Sequence, residues 1–400
     1  MTEFSMPGKL ENARVLMYSH DTFGLGHLRR CRALAHSLVE QFKGLSVLIL
    51  TGSPIIGRFE FKVRVDFVRI PGVIKLRNGD YTSLGLHINL EHTLAMRESI
   101  ILHTAEIFDP DLFIVDKEPL GLKGEVESTL KMLKRKGKPV VLGLRDVLDA
   151  PRLLREEWAT KNAIPALEQY YDELWVYGDI SMGDPLAGLD IPETIKNKQH
   201  YTGYLPRALP EKVQSKHLAD IPHPYLLVTP GGGGDGVEMV EWVLSAYESA
   251  GDLPWHGLFV VGPFMSLANQ ENFKERIDRL DNASLITFDN HMESLMDHAA
   301  GVVAMGGYNT FCEILSFNKR ALIIPRTTPR EEQLIRAQNA AQLNLVKLLD
   351  PRGGIDNHRM VEALKSLAQQ EKPSEVMPKG FLRGLETVNE RFIDIIRTYN

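Results

Sequence analysis

Gly306-Gly307-Tyr308-Asn309-Thr310-Phe311-Cys312-Glu313, with Gln333 twenty positions beyond that glutamate, is the stretch on which the reading of this chain turns. The preceding residues Gly301 to Met305 are apolar and β-branched, the pattern of a buried parallel strand, so the two glycines fall where a strand gives way to a helix. Glycine lets the backbone approach a ligand closely, and the helix behind it aims unpaired N–H groups and its positive dipole end at whatever fills the turn. Gly306, Gly307, Tyr308, Asn309 and Thr310 are therefore candidate contacts for a diphosphate. Glu313 follows about two turns into the helix, within reach of a diol such as the two ribose hydroxyls. This spacing fits a nucleoside diphosphate better than a lone phosphate.

Working outward, short apolar strands alternate with helical patterns, the sign of parallel sheets with crossover helices. Residues 14–19, 46–51, 63–70, 112–116, 139–144, 174–177 and 199–203 form one series of strands. Residues 225–229, 258–262, 284–288, 301–305 and 321–325 form a second. Between them residues 207–222 are polar and proline-bounded, as a linker is. The expected organisation is a first domain over 1–206, a linker over 207–222, a second domain over 223–380 and a final helix over 381–400. In that helix Phe381, Leu385, Val388, Phe392 and Ile395 or Ile396 make one apolar face that needs a surface to cover.

Each series opens with a strand that runs into a glycine loop. In the second it is Pro230-Gly231-Gly232-Gly233-Gly234-Asp235-Gly236, followed by a helical pattern through Val240, Val243 and Leu244. Backbone N–H groups converge on an anion at such a turn, so Gly231 to Gly234 are further diphosphate candidates. The loop lacks the Lys and Ser/Thr of an ATP-hydrolysing P-loop. In the first series it is His20-Asp21-Thr22-Phe23-Gly24-Leu25-Gly26-His27-Leu28-Arg29-Arg30. Arg29 stands where a dinucleotide fingerprint needs its third glycine, and no acidic residue ends the next strand, so a nicotinamide site is a poor reading. Gly24 and Gly26 are candidate phosphate contacts and His27 is the main catalytic candidate, because a neutral imidazole can accept a hydroxyl proton near neutral pH. Asp116 and Glu118, at the end of another strand of this domain, are the alternative bases.

Residues Gly307 to Glu313, the strand over 321–325 and the pair Glu332-Gln333 resemble the donor-binding signature of transferases with the glycosyltransferase-B fold. The branch they resemble holds the peptidoglycan lipid-linked N-acetylglucosaminyltransferase and bacterial proteins expected to be glycosyltransferases. The run Gly24-Leu25-Gly26-His27-Leu28-Arg29-Arg30 is similar to the N-terminal loop of the same enzymes and of nucleotide-sugar hydrolases sharing the fold. The resemblance implies two Rossmann-like α/β domains facing a cleft, with the C-terminal helix crossing back to the first domain. It also implies that Glu313 contacts ribose and that Glu332 and Gln333 contact sugar hydroxyls. Asp21-Thr22-Phe23 departs from the family's more glycine-rich loop.

Composition agrees. A chain of 400 residues is long enough for two ordinary domains. A formal charge of -6 argues against a nucleic-acid partner. The two cysteines, Cys31 and Cys312, lie far apart on helix faces without metal-ligand spacing, as in a reduced cytoplasmic protein. No run reaches the roughly 20 apolar residues needed to span a bilayer. Asp109-Pro110-Asp111 reads as a turn and helix stop rather than a metal-binding Asp-x-Asp, and neither metal nor cofactor is expected. The run Lys131, Lys134, Arg135, Lys136 and Lys138 reads as a solvated helix end, with peripheral contact to an anionic membrane as its alternative. The function implied is metal-independent, inverting transfer of a sugar from a nucleoside diphosphate sugar, uridine-linked by resemblance, to an acceptor hydroxyl. A nucleotide-sugar hydrolase or epimerase, and a non-catalytic nucleotide-sugar sensor, are the rival readings.

Overall fold

The computed structural model describes residues 10, 12–20, 26–75, 80–209, 215–232 and 234–399. Gly24 and Gly233, both expected phosphate contacts, lie outside the described residues, as do residues 210–214 of the expected linker. The chain divides into two compact units. Unit 1 comprises Met1–Ile180, Asp184–Leu205 and Arg383–Asn400, and unit 2 comprises Ser181–Gly183 and Pro206–Leu382. Arg207, at the start of the segment 207–222 read as a linker, and Ser215, within it, are bonded into unit 2. The Arg207 amide donates to Ser316 Oγ at 2.9 Å, and Ser215 Oγ donates to Asp289 at 2.5 Å.

In unit 1 the strands are β1 (Arg14–Ser19), β2 (Ser46–Thr51), β3 (Val65–Arg69), β4 (Val73–Lys75), β5 (Tyr81–Ser83), β6 (Leu112–Asp116), β7 (Val140–Arg145), β8 (Glu173–Tyr177) and β9 (Gln199–Tyr201). Among the described residues β3-β2-β1-β6-β7-β8-β9 form one sheet with every pairing parallel, and β4 and β5 form a separate antiparallel hairpin. Strands covered by helices on both faces are apolar throughout rather than alternating, which is why β1, β6 and β7 read so clearly as strands. Leu16, Phe113, Leu142 and Trp158 lie in the core of this unit.

A buried ion pair crosses unit 1. Arg97 donates through Nε and Nη2 to the two carboxylate oxygens of Glu125, each at 2.5 Å, and Tyr18 donates to the same carboxylate at 2.6 Å. The final helix, Gly384–Tyr399, packs in this unit as well. Its buried residues Val388, Phe392, Ile395 and Ile396 follow the apolar periodicity of the sequence, and the Phe392 ring centroid lies 5.2 Å from that of Phe42. Gly384 lets the helix start against the chain before it, since a Cβ there would sit 2.6 Å from the carbonyl oxygens of both Gly203 and Tyr204.

In unit 2 the strands are β10 (Tyr225–Thr229), β11 (His256–Val260), β12 (Ala283–Ile286), β13 (Gly301–Ala304), β14 (Arg320–Ile323) and β15 (Lys347–Leu348), ordered β12-β11-β10-β13-β14-β15 with every pairing parallel. Val228, Val243, Phe259 and Leu364 lie in its core. Both sheets therefore have the doubly wound arrangement. The strand order reverses beside the first strand of each unit, between β1 and β6 and between β10 and β13. Loops leaving the carboxyl ends of strands at such a switch point diverge and leave a crevice, where sheets of this kind bind ligands.

Candidate functional site

The glycine loops and the turn holding Asp116 and Glu118 each leave a strand that flanks a switch point, whereas Glu332 and Gln333 follow β14, one strand farther out. In unit 1 His27 is the second residue of the helix Gly26–Gln41 after β1, and Asp116 is the last residue of β6, which pairs with β1. The topology thus joins two residues that the sequence offered as alternative bases. His27 Nδ1 lies 2.5 Å from Asp116 Oδ2. Arg30, one helical turn after His27, donates to the same carboxylate through Nε at 2.8 Å and Nη2 at 2.7 Å. Asp116 and Arg30 are buried and the His27 side chain is 18 % exposed, so the carboxylate that holds the imidazole is itself fixed.

The charges are set by this packing. Burial alone would raise the Asp116 pKa, but the Arg30 guanidinium and His27 outweigh it and hold the carboxyl well below the ordinary range. Burial pushes the His27 imidazole below its ordinary value, reinforced by the Arg30 and Lys117 cations and opposed by Asp116. A neutral imidazole donating through Nδ1 to a carboxylate presents an unprotonated Nε2, the form a general base needs.

Glu118 is placed differently. Lys161 donates to it at 2.7 Å and Lys117 lies 3.1 Å from its other oxygen. Burial would raise its pKa, yet Lys117 and Lys161 hold it well below the ordinary range, which makes it a weak base. The His20 ring packs edge-on to that of His27 with centroids 5.6 Å apart, and burial pushes the His20 pKa well below the ordinary value.

In unit 2 the loop between β10 and the helix Val237–Ser249 is shaped by close backbone approach. Gly231 has φ +81°. A Cβ on Gly236 would fall 2.0 Å from Pro230 Cβ, and one on Gly262, at φ +89°, would fall 2.5 Å from the Gly231 carbonyl oxygen. Gly231, Gly232 and Gly234 are exposed. After β13, Gly306 takes φ +79°, where a side chain would be strained and would strike Ile323. The helix Tyr308–Ser316 then begins at Gly307, around which a Cβ would meet open space. Neither this helix nor Val237–Ser249 has a side-chain bond at its N-cap, Gly307 or Gly236. Neither N-cap, being glycine, brings a side chain of its own to the first-turn N–H groups, and the nearest carboxylate in sequence before Val237–Ser249 is that of Asp235, one residue ahead of Gly236.

The remaining candidates of unit 2 stand around these termini. Arg336 donates to the Gly306 carbonyl at 3.1 Å and its guanidinium lies 5.7 Å from the Tyr308 ring centroid. Asn309 accepts through Oδ1 from Arg207 at 2.9 Å, so that oxygen is committed within the protein. Thr310 is half-buried and Glu313 is buried. Glu332 and Gln333 open the helix Glu332–Gln342 and both engage Arg326. Glu332 Oε1 accepts from Arg326 Nη2 at 2.8 Å, and Gln333 Oε1 from the Arg326 amide at 3.0 Å.

Arg326 and Gly262 were not singled out from the sequence, and Arg30 entered only as the last residue of the run beginning at Gly24. Arg30 was accessible to it, because residues three apart share a helix face. Arg326 follows the end of β14, a position at which open sheets hold ligand-site residues, but its contact with Asp235 spans 91 residues of sequence. The basic run is largely neutralised: Lys131 meets Glu127 at 2.8 Å, Lys134 meets Asp172 at 2.7 Å, Lys136 meets Asp109 at 3.3 Å and Lys138 meets Asp111 at 3.2 Å. Asp109 caps the helix Leu90–Phe108 in the left-handed region, as the turn reading requires. Cys31 and Cys312 are both free and buried. Among the described residues no helix is long and apolar enough to cross a membrane.

Residues 255–391 match the glycosyltransferase family 28 C-terminal domain. Among curated proteins none matches the chain by sequence. Solved structures similar over nearly the whole length include Acinetobacter baumannii MurG, at 13 % identity and TM-score 0.60, covering 96 % of this chain and 99 % of that one. A second is Phytolacca americana UGT2 complexed with UDP-2-fluoro-glucose and pterostilbene, at 14 % identity and TM-score 0.60, covering 97 % and 96 %. A third is a Listeria monocytogenes protein provisionally assigned as a UDP-N-acetylglucosamine 2-epimerase, at 12 % identity and TM-score 0.63, covering 97 % and 96 %. The chain carries a glycosyltransferase domain, and its two Rossmann-like units have the glycosyltransferase-B fold.

Proposed function

We propose that this protein transfers a sugar from a uridine diphosphate sugar to an acceptor hydroxyl by one displacement that inverts the anomeric carbon. The observation that carries the reading is the 2.5 Å bond between His27 and Asp116 at the switch point of unit 1. His27 Nε2 takes the acceptor proton, Asp116 stabilises the imidazolium that forms, and the acceptor oxygen bonds to the anomeric carbon as the bond to the diphosphate breaks. Glu118, neutralised by two lysines, is set aside as the base.

Unit 2 holds the donor in this reading. The amides at Gly232, Gly234, Gly306 and Gly307, with the two helix termini, receive the diphosphate and stabilise its developing charge, while the Gly231 amide donates to Thr229 Oγ1 at 3.2 Å and shapes the loop; no metal is assigned to the step. Glu313 takes the ribose, and Glu332 with Gln333 the sugar. The fold shared with a structure holding UDP-2-fluoro-glucose and pterostilbene supports a uridine-linked donor and a separate acceptor. The two buried thiols agree with a cytoplasmic protein, and attachment to a membrane would come through the acceptor rather than the neutralised lysine run.

The donor is tested by thermal unfolding with a panel of nucleotide sugars and nucleoside diphosphates. A ligand at 100 times its Kd stabilises by about 2.7 kcal/mol. Stabilisation by uridine diphosphate and one of its sugars, unchanged by a chelator, is expected; stabilisation by none of the panel would overturn the reading.

A further inference from the structure

Arg326 connects the glycine loop of unit 2 to the start of the helix Glu332–Gln342. Its Nη1 donates to Asp235 Oδ2, its Nη2 to Glu332 Oε1 at 2.8 Å, and its amide to Gln333 Oε1 at 3.0 Å. Two polar atoms of this cluster are buried without a partner, Arg326 Nε and Glu332 Oε2. The two carboxylates differ in how firmly they are held. The Glu332 side chain is 10 % exposed, whereas that of Asp235 is 48 % exposed and sits on a loop of glycines. A guanidinium with one buried and one exposed carboxylate exchanges the exposed one more readily for another anion.

Asp235 stands one residue before Gly236, the N-cap of the helix Val237–Ser249. Its carboxylate thus lies at the positive end of a helix and against a guanidinium, two features that suit a phosphate oxygen equally well. A diphosphate entering the loop would meet this negative charge and would be repelled while Asp235 remains there.

We propose that Asp235 occupies Arg326 as a stand-in for the donor's diphosphate, and that a nucleoside diphosphate displaces it and takes the freed Nη1. Arg326 is then a donor-binding residue that also positions Glu332 and Gln333, and Asp235 sets how tightly donor and released nucleoside diphosphate are held. This rests on the donor site proposed for unit 2. The competing role for the same contact is a staple that only shapes the loop.

The two roles give opposite signs for Asp235. Titration calorimetry of uridine diphosphate and of inorganic pyrophosphate into the full-length protein, its D235N and R326Q variants and the double variant separates them, with melting temperatures as a check on folding. Tightening by about fivefold in D235N, the effect of removing one unit charge near an exposed anion, is expected. Weakening by about tenfold in R326Q is expected as well, with a smaller gain from D235N in that background. Weakening in D235N, or equal affinity in all four proteins, would overturn the proposal while leaving the donor site standing. If neither wild type nor D235N binds uridine diphosphate, the donor site itself is wrong and this inference falls with it. Asp235 is exposed, so D235N decides the matter even if R326Q fails to fold.

Discussion

His27 Nδ1 and Asp116 Oδ2 lie 2.5 Å apart although 89 residues separate them in sequence. The pairing follows from topology, because β1 and β6 are adjacent and parallel and deliver both residues to the same edge of the sheet. Asp116 in turn is anchored by two bonds from Arg30, so the imidazole is oriented by a carboxylate that cannot turn away.

Replacing His27 by Ala or Asp116 by Asn is expected to lower kcat by roughly 10²–10⁴, the contribution of a positioned general base. Uridine diphosphate affinity should hold, since its proposed contacts lie in unit 2. The double variant should be little worse than either single one, because the two residues act together. Additive losses in steady-state kinetics would show that they act separately.

The pH profile gives a second check. His27 works as the neutral form, so kcat/KM must fall as the pH drops and the ring protonates. Because burial lowers its pKa, the midpoint of that acid limb is expected below the ordinary imidazole value of about 6.5. A limb centred above 7 would contradict the burial argument.

Stability should follow the same sign. His20 and His27 are lowered by burial, and half-buried His36 is lowered to about 4 by partial burial and by Arg32 and Lys62. These groups fold neutral and bind protons on unfolding, so the stability they contribute is complete above the unfolded value of about 6.5 and is lost as the pH falls towards 4. Urea midpoints at pH 7.5 and 5.0 measure this, and a higher midpoint at pH 5.0 would refute it.

Arg97 and Glu125 make a bidentate pair with almost no exposure in unit 1. Removing the cation alone, as in Arg97→Met, strands a buried carboxylate and should cost about 3–5 kcal/mol. Pairing that change with Glu125→Leu should recover much of the loss. Chemical denaturation of the single and double variants tests this; equal destabilisation in both would place the cost in packing rather than in charge.

Gly384→Ala should loosen the final helix, since its Cβ would meet two carbonyl oxygens at 2.6 Å. Faster proteolysis ahead of residue 384, with a lower melting temperature for unit 1, is the expected result. A protease pattern identical to that of the wild type would show that the helix start can shift at no cost.

Much of this architecture was legible because buried parallel strands are continuous apolar runs: β1, β2, β6 and β10 fall on the residues read from the sequence. Elements without such a signal escaped. β15 is two residues long and the β4–β5 hairpin has three-residue strands, too short for any periodicity. The glycine loops were visible as residues, whereas what supports them was not. Gly262 presses on Gly231, and Arg326 reaches Asp235 across 91 residues, contacts that no local spacing encodes. Asp116 and His27 could be read as rivals for one role; only the adjacency of β1 and β6 makes them a pair.

The most direct test of the account is release of nucleoside diphosphate from a panel of nucleotide sugars, with and without a cell extract as the source of acceptor, with product masses determined. The account predicts release from a uridine diphosphate sugar that depends on the extract, yields a product heavier by one sugar and is slowed by at least about 10²-fold in His27→Ala. Equal release without extract, accompanied by free sugar, would contradict it in favour of hydrolysis, and binding of the donor with no turnover in any extract would point to a sensor.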